Sequence, residues 1–171
     1  MATTLIFLRH GQSEGNKLKT FNGSLDFPLT EIGILQAQKS AQVLDKYKID
    51  YIYSSDLKRA YQTAEQTAKR QNLPIIKSKK LREIHGGDFE GIKFDEISLK
   101  FPKEFDLWVN DMGNCVCPNG ESIKELFERV KNEVNEIARK HTGKTVLIAT
   151  HATPIRAMST LWLKKNIEDI R

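Results

Sequence analysis

Cysteine is scarce in this chain of 171 residues, and the two that occur, Cys115 and Cys117, stand too close together for an easy disulfide and are too few for a zinc site of their own. A disulfide-stapled scaffold is therefore excluded, and both are read as free thiols in a loop over a pocket. Long apolar runs and a signal-like N-terminus are lacking too, so the expectation is a cytoplasmic protein without a membrane partner. The four histidines show no H-x-E-x-H-like spacing and no acidic cluster accompanies them, which leaves no metal site to expect. Internal repeats, linkers and low-complexity tracts are absent. One domain over residues 1–171 is the natural reading, because a hydrophobic fraction of 39% suffices for one buried core. Excess positive charge is modest and unfocused. The net charge of +5 comes from dispersed lysines, among them Lys39, Lys46, Lys69, Lys77, Lys131 and Lys140, so a nucleic-acid partner is not expected and a mild attraction for anionic substrates is.

What the chain does have is two apolar strands that each run into a histidine. T-L-I-F-L at residues 4–8 suits a strand buried on both faces of a parallel sheet, and it passes into Arg9, His10 and a loop holding Gly11 and Gly15. T-V-L-I-A-T at 145–150 is a second such strand and runs into His151. In a parallel sheet both exits lie on the edge where α/β proteins bind ligands, so His10 and His151 belong to a single pocket, each with an arginine nearby, Arg9 and Arg156. A guanidinium beside an imidazole suits an anion. By residue type alone, His10 is a general base, a metal ligand or a nucleophile.

Between these strands, apolar periodicity predicts helices over Thr30 to about Tyr47, over 56–70, and from near Ser122, where S-I-K-E forms a capping box. Strands are expected at 51–53 and around Pro74–Ile76. The helix at 56–70 carries a buried stripe of Leu57, Ala60, Tyr61, Ala64 and Ala68, from which Arg59 projects away; its place at a helix start just past a strand directs it toward an anion. Residues 81–121 form a looser cap segment with short helices near 94–100 and 105–108. Pro154 opens a last helix. His141 is read as a helix C-terminal residue and His85 as a contact at the pocket rim. Such alternation gives an α/β fold, a three-layer sandwich with a mostly parallel sheet flanked by helices.

Six blocks then carry a family resemblance. R-H-G at 9–11, G-S-L-D-F-P-L-T-E at 23–31, S-S-D-L-K-R-A-Y-Q-T-A at 54–64, L-R-E-I-H-G-G-D-F-E-G at 81–91, P-N-G-E-S at 118–122 and the strand into His151 together resemble the histidine phosphatase superfamily. That family includes the cofactor-dependent phosphoglycerate mutases and many small phosphatases, and the blocks span nearly the whole chain. The resemblance implies a phosphoglycerate mutase-like architecture. It also implies that His10 takes up the phosphoryl group as phosphohistidine, that Arg9, Arg59 and His151 surround the phosphate oxygens, and that Glu83 protonates the departing oxygen. Gln12, Asn16, Asn22 and Gly23 match loop positions that commonly touch phosphate or substrate. These residue types suit the chemistry, because phosphoryl transfer spreads negative charge over equatorial oxygens and is driven by positioning and fixed positive charge. His10 must be neutral to attack, so its other ring nitrogen should donate to a carbonyl or carboxylate.

Mutases of the family commonly carry paired arginines just after a tryptophan in the cap, whereas Trp108 here is followed by Val109 and Asn110. The resemblance therefore implies a phosphatase acting on a phosphomonoester of a small metabolite, without metal or cofactor. The alternatives are a phosphoglycerate mutase, which would use 2,3-bisphosphoglycerate, and a noncatalytic phospho-ligand binding module, against which the intact set of Arg9, His10, Arg59, Glu83 and His151 argues. Two departures from the family pattern stand out. Ala152 follows His151 where a glycine is common, and is expected to be tolerated. The sequence stops at Arg171, where family chains usually continue into further sheet structure, either as a trimmed chain or as a naturally short member; an incomplete C-terminal sheet edge and a homodimer are the expectations.

Overall fold

The chain begins with β1 (Thr4–Arg9), the one-turn α1 (Glu14–Lys17), α2 (Glu31–Leu44), β2 (Tyr51–Ser55), α3 (Lys58–Gln71) and β3 (Ile75–Ser78) in the computed structural model, which describes residues 1–170. α4 (Phe94–Lys100), α5 (Pro102–Asn110), the long α6 (Ile123–Lys140), β4 (Thr145–Thr150) and α7 (Ala152–Trp162) follow. The sheet order is β1-β4-β2-β3, and the three strand pairings within it are parallel.

Successive side chains of a strand point to opposite faces, and β4 shows what that does here. Val146 and Ile148 enter one buried cluster with Leu126, Val130, Val134 and Ile137 of α6 and Ala157 and Met158 of α7. Leu147 and Ala149 enter another with Leu44 of α2 and Ala64 and Ala68 of α3. Both sheet faces are therefore covered by helices, and the three layers expected from the alternation are present. The larger cluster also takes Phe21, Ile84, Phe89, Ile97, Met112, Cys115 and Cys117, so much of the 81–121 segment packs as core on the α6 and α7 side. Both cysteines are free but lie buried in that core, which corrects their expected place in a loop over the pocket.

Helix starts follow their capping chemistry. Thr30 accepts from the Gly33 N–H at 3.0 Å and sets the start of α2 at Glu31. Ser122 and Glu125 make the reciprocal capping box that S-I-K-E suggested, and α6 begins at Ile123. α7 starts at Ala152, so Pro154 sits within its first turn instead of opening it. In α3 the stripe reading needs correcting, because Arg59, Thr63 and Thr67 form a second buried row beside Ala60, Ala64 and Ala68, while Tyr61 is only half-buried. Two rows are buried because α3 packs on the sheet with one side and on the loop after β1 with the other. His141 ends α6 with its ring buried, its Nε2 2.9 Å from the Tyr53 hydroxyl and its face 3.9 Å from Tyr51.

Leu147 has no exposed surface at the centre of the sheet, whereas Leu35 on α2 is 58% exposed. Leu147→Ala is expected to lower the unfolding free energy by about 2–5 kcal/mol and Leu35→Ala by about 0.5 kcal/mol or less, measured by urea denaturation. Equal losses would contradict the layer assignment.

Candidate active site

Strand register builds the site. Arg9 pairs with Thr150 across β1 and β4, so the residues that follow the two strands, His10 and His151, meet at the same end of the sheet. The His10 N–H donates to the Thr150 carbonyl at 3.1 Å, and the two rings stand 5.1 Å apart at 63°. Ser54 pairs with Ala149, which brings Ser55 level with Thr150, one residue before His151; its hydroxyl lies 2.8 Å from His151 Nε2. Ser55 escaped notice in the sequence, although its place one residue before the end of the S-S-D run at a strand exit was a usable signal.

His10 is held in one tautomer. Its Nδ1 lies 2.7 Å from the Gly11 carbonyl, and since a carbonyl only accepts, Nδ1 carries the proton and Nε2 the lone pair. Burial lowers its pKa to about 4, helped by the charges of Arg59 and Arg9 and opposed by the Gly11 carbonyl. His151 is fully buried, and that burial, with Arg59 and His10 nearby, holds it well below the ordinary imidazole value. Both rings are therefore neutral at pH 7. The Gly11 N–H donates to Thr63 Oγ1 of α3 at 3.1 Å, and a Cβ on Gly11 would collide with the Gly33 carbonyl at the start of α2. Backbone packed this closely fixes the loop, and no other residue fits there.

Arg59 is 1% exposed, and its guanidinium donates to the Leu25 carbonyl at 2.6 Å and the Gly23 carbonyl at 2.7 Å. Those bonds pull the 22–25 loop over the strand ends. Gly23 has φ +45°, and a Cβ there would strike the Glu90 carboxylate, which instead accepts from the Ser24 and Gly86 N–H groups. Among the described residues, three buried side-chain polar atoms lack a partner, and two of them are Arg59 Nε and His151 Nδ1. Unmet polar atoms cost about 1–3 kcal/mol each when buried, so a pair beside one cavity points to an anion-binding role.

That cavity has a volume of about 210 Å³. Arg9, His10, Asn16, Asn22, Gly23, Arg59 and Glu83 line it, as do Ala152, Thr153 and Arg156 at the start of α7. Glu83 accepts from its neighbour Ile84 N–H at 2.9 Å and from the Thr153 N–H at 3.3 Å, so the carboxylate sits at the α7 N-terminus. Asn16 closes a capping box with Ser13, and the Asn22 amide donates to the Ser13 hydroxyl at 3.3 Å. Phe21, Phe94 and Trp108 form an aromatic wall, with Phe21 and Trp108 centroids 4.9 Å apart. Gln12 departs from its expected role, because it is not among the lining residues. Its side-chain oxygen accepts from the Thr30 hydroxyl at 2.9 Å and its N–H donates to Gln36, which ties it to the α2 start. His85 is exposed and lines a neighbouring cavity. His151 reaches the site from beneath, as a buried ring against His10. No group of three or more His, Cys, Asp or Glu suited to a metal ion occurs among the described residues, and none of their helices is long and apolar enough to cross a membrane.

Against known proteins, a family model for the histidine phosphatase superfamily (branch 1) matches residues 5–171. The chain belongs to the histidine phosphatase superfamily. It is similar to phosphoserine phosphatase 1 of Hydrogenobacter thermophilus, with 38% identity over 90% of this chain and 73% of that one. It is also similar to a phosphoglycerate mutase of Schizosaccharomyces pombe, with 36% identity over 90% of this chain and 76% of the relative. Among solved structures, Bacillus stearothermophilus YhfR matches with a TM-score of 0.95 and 32% identity over 99% of this chain and 84% of that chain. In this histidine phosphatase superfamily member, His10, Arg9, Arg59, Arg156 and Glu83 line a single cavity, and His151 lies buried against His10 on the sheet edge where the strand register puts both rings.

The tautomer and the lowered pKa are both measurable. ¹⁵N NMR at pH 7 is expected to show His10 neutral with Nδ1 protonated, titrating near pH 4; a midpoint near 6.5 would contradict the geometry. The folded protein keeps this ring neutral to a lower pH than the unfolded chain does, so unfolding takes up a proton between about pH 6.5 and about 4. Stability should decline as pH falls through that window.

Proposed function

We propose that the protein hydrolyses a phosphomonoester of a small metabolite through a phosphohistidine on His10. The observation that carries this reading is the pinned imidazole, whose Nδ1–H is held by Gly11 while Nε2 keeps its lone pair at neutral pH. Nε2 attacks phosphorus, the ester P–O bond breaks, and Glu83 gives its proton to the departing alkoxide oxygen. Water then attacks phosphorus, Glu83 takes a proton back, and the P–N bond breaks to release phosphate and restore neutral His10. Arg59, through its unpartnered Nε, and His151, through Nδ1, supply buried donors for the phosphoryl oxygens, and Arg9 adds charge at the cavity. Asn16, Asn22 and Gly23 line the same cavity and contact phosphate or substrate. Residues 81–121 act as the cap of a single domain, contributing Ile84, Phe94 and Trp108 to the cavity wall.

A hydrolase is favoured over a mutase for two reasons. The relative named a phosphoserine phosphatase supports it, and so do Val109 and Asn110, both exposed, in place of the paired arginines that would grip a carboxylate beside Trp108. The relative named a phosphoglycerate mutase keeps that as the second reading. No metal or organic cofactor enters the steps, the substrate is a small phosphorylated metabolite, and a cytoplasmic location is retained as the working assignment.

The deciding experiment supplies O-phosphoserine, 3-phosphoglycerate and p-nitrophenyl phosphate, with EDTA and with or without 2,3-bisphosphoglycerate, and follows free phosphate, 2-phosphoglycerate and acid-labile phosphoenzyme. Free phosphate with no isomer is expected; bisphosphoglycerate-stimulated isomer formation would establish the mutase instead. His10→Ala should abolish turnover and labelling together, and full activity in that variant would remove the assigned nucleophile. Glu83→Gln is expected to slow alkyl ester cleavage by about 10²–10⁴-fold with little change in substrate binding.

A further inference from the structure

Glu83 stands between two cavities. On one side is the active-site cavity, and on the other a space of about 350 Å³ lined by Lys79, Arg82, His85, Glu121 and Arg129. Packing on that second side is therefore open, and Glu83 is half-buried. Leu81 and Ile84 anchor the backbone that carries it in the core, and on the open side polar contacts have to complete the hold.

Arg129, on the second turn of α6, meets that need. Its guanidinium has five N–H donors, and all five are used. Three reach backbone carbonyls of the segment that carries the carboxylate, at Lys80 (2.8 Å), Arg82 (3.0 Å) and Glu83 itself (3.2 Å). The other two make a bidentate pair with Glu121, at 2.7 and 2.8 Å. Glu121 in turn holds the chain just past Glu83. Its N–H donates to the His85 carbonyl at 2.7 Å and its carboxylate accepts from the His85 N–H at 3.2 Å. The pair thus grips the backbone before, at and after Glu83, without touching the active-site cavity.

We infer that Arg129 and Glu121 are positioning residues for proton transfer: together they set the distance between the Glu83 carboxyl and the departing oxygen. This rests on the reading of Glu83 as the proton donor. Proton donation requires hydrogen-bond reach, and a misplacement of about 1 Å can cost on the order of 10²-fold in rate. A lysine at 129 would keep the charge but could not make the fork to Glu121 and span three carbonyls together.

The test compares kcat/KM for two leaving groups, since p-nitrophenolate leaves without a proton and an alkoxide does not. The alkyl probe is whichever of O-phosphoserine and 3-phosphoglycerate the wild type hydrolyses faster, and p-nitrophenyl phosphate is the aryl probe. Arg129→Met is expected to lose at least about tenfold more on the alkyl ester than on the aryl ester, with Arg129→Lys intermediate. Glu83→Gln should show the same selectivity more strongly, and adding Arg129→Met to it should cost little more. Glu121→Gln and Arg129→Lys, checked by melting temperature, carry the comparison if Arg129→Met does not fold. Equal losses on both esters in the Arg129 and Glu121 variants, with Glu83→Gln still selective, would overturn the positioning role alone. Equal losses in Glu83→Gln would overturn the proton-donor reading and this inference with it.

Discussion

The parallel pairing of β1 with β4 is the constraint on which the site depends. Residues paired in register leave a sheet side by side, so pairing Arg9 with Thr150 commits His10 and His151 to adjacent exits, although 140 positions separate them in the sequence. A slip of one residue would turn every side chain of β1 to the opposite face, exchanging Leu5 and Phe7 for Ile6 and Leu8 between the two cores. Core packing thereby enforces the geometry of the candidate site. The same sheet edge receives the hydroxyl of Ser55 from the next strand, so three neighbouring strands each deliver one polar group.

Burial then sets the electrical state of these groups. Two imidazoles lie close to Arg59, and both the desolvation and the guanidinium charge favour their neutral forms. A histidine protonated on both ring nitrogens would have no lone pair to offer. Arg59 accepts the opposite condition: burial lowers its pKa while Glu83, Asp26 and Glu90 oppose the shift, and an arginine keeps its charge in such surroundings. Fixed guanidinium charge beside neutral rings is an arrangement that favours an incoming oxyanion.

Legibility in the sequence followed the range of the interactions. Strands with continuous apolar runs, the Ser122 capping box and the helix start after Thr30 rest on neighbours within a few positions, and each matched the structure to within a few residues. That His10, His151, Arg9, Arg59 and Glu83 come together was legible because strand ends and ordered motifs mark them. Contacts that form only after folding left no such mark. Gln12 sits in the same loop as Asn16, yet it turns to Thr30 and Gln36, a choice fixed by how closely Gly11 and Gly33 pack. The buried row of Arg59, Thr63 and Thr67 was hidden because a single helical stripe was assumed where α3 is covered on two sides. Cys115 and Cys117 read as loop residues by their neighbours, and only the depth of the α6 side reveals them as core.

The aromatic wall hangs on a different part of the backbone from the groups at the strand ends. Phe94 and Trp108 belong to the short helices α4 and α5, whereas His10, His151 and Arg59 are anchored by the sheet and by the start of α3. Mutations in those short helices can therefore reshape the cavity wall while the groups at the strand ends stay in register. Such a division lets one scaffold diversify its clientele over evolutionary time without reinventing its chemistry.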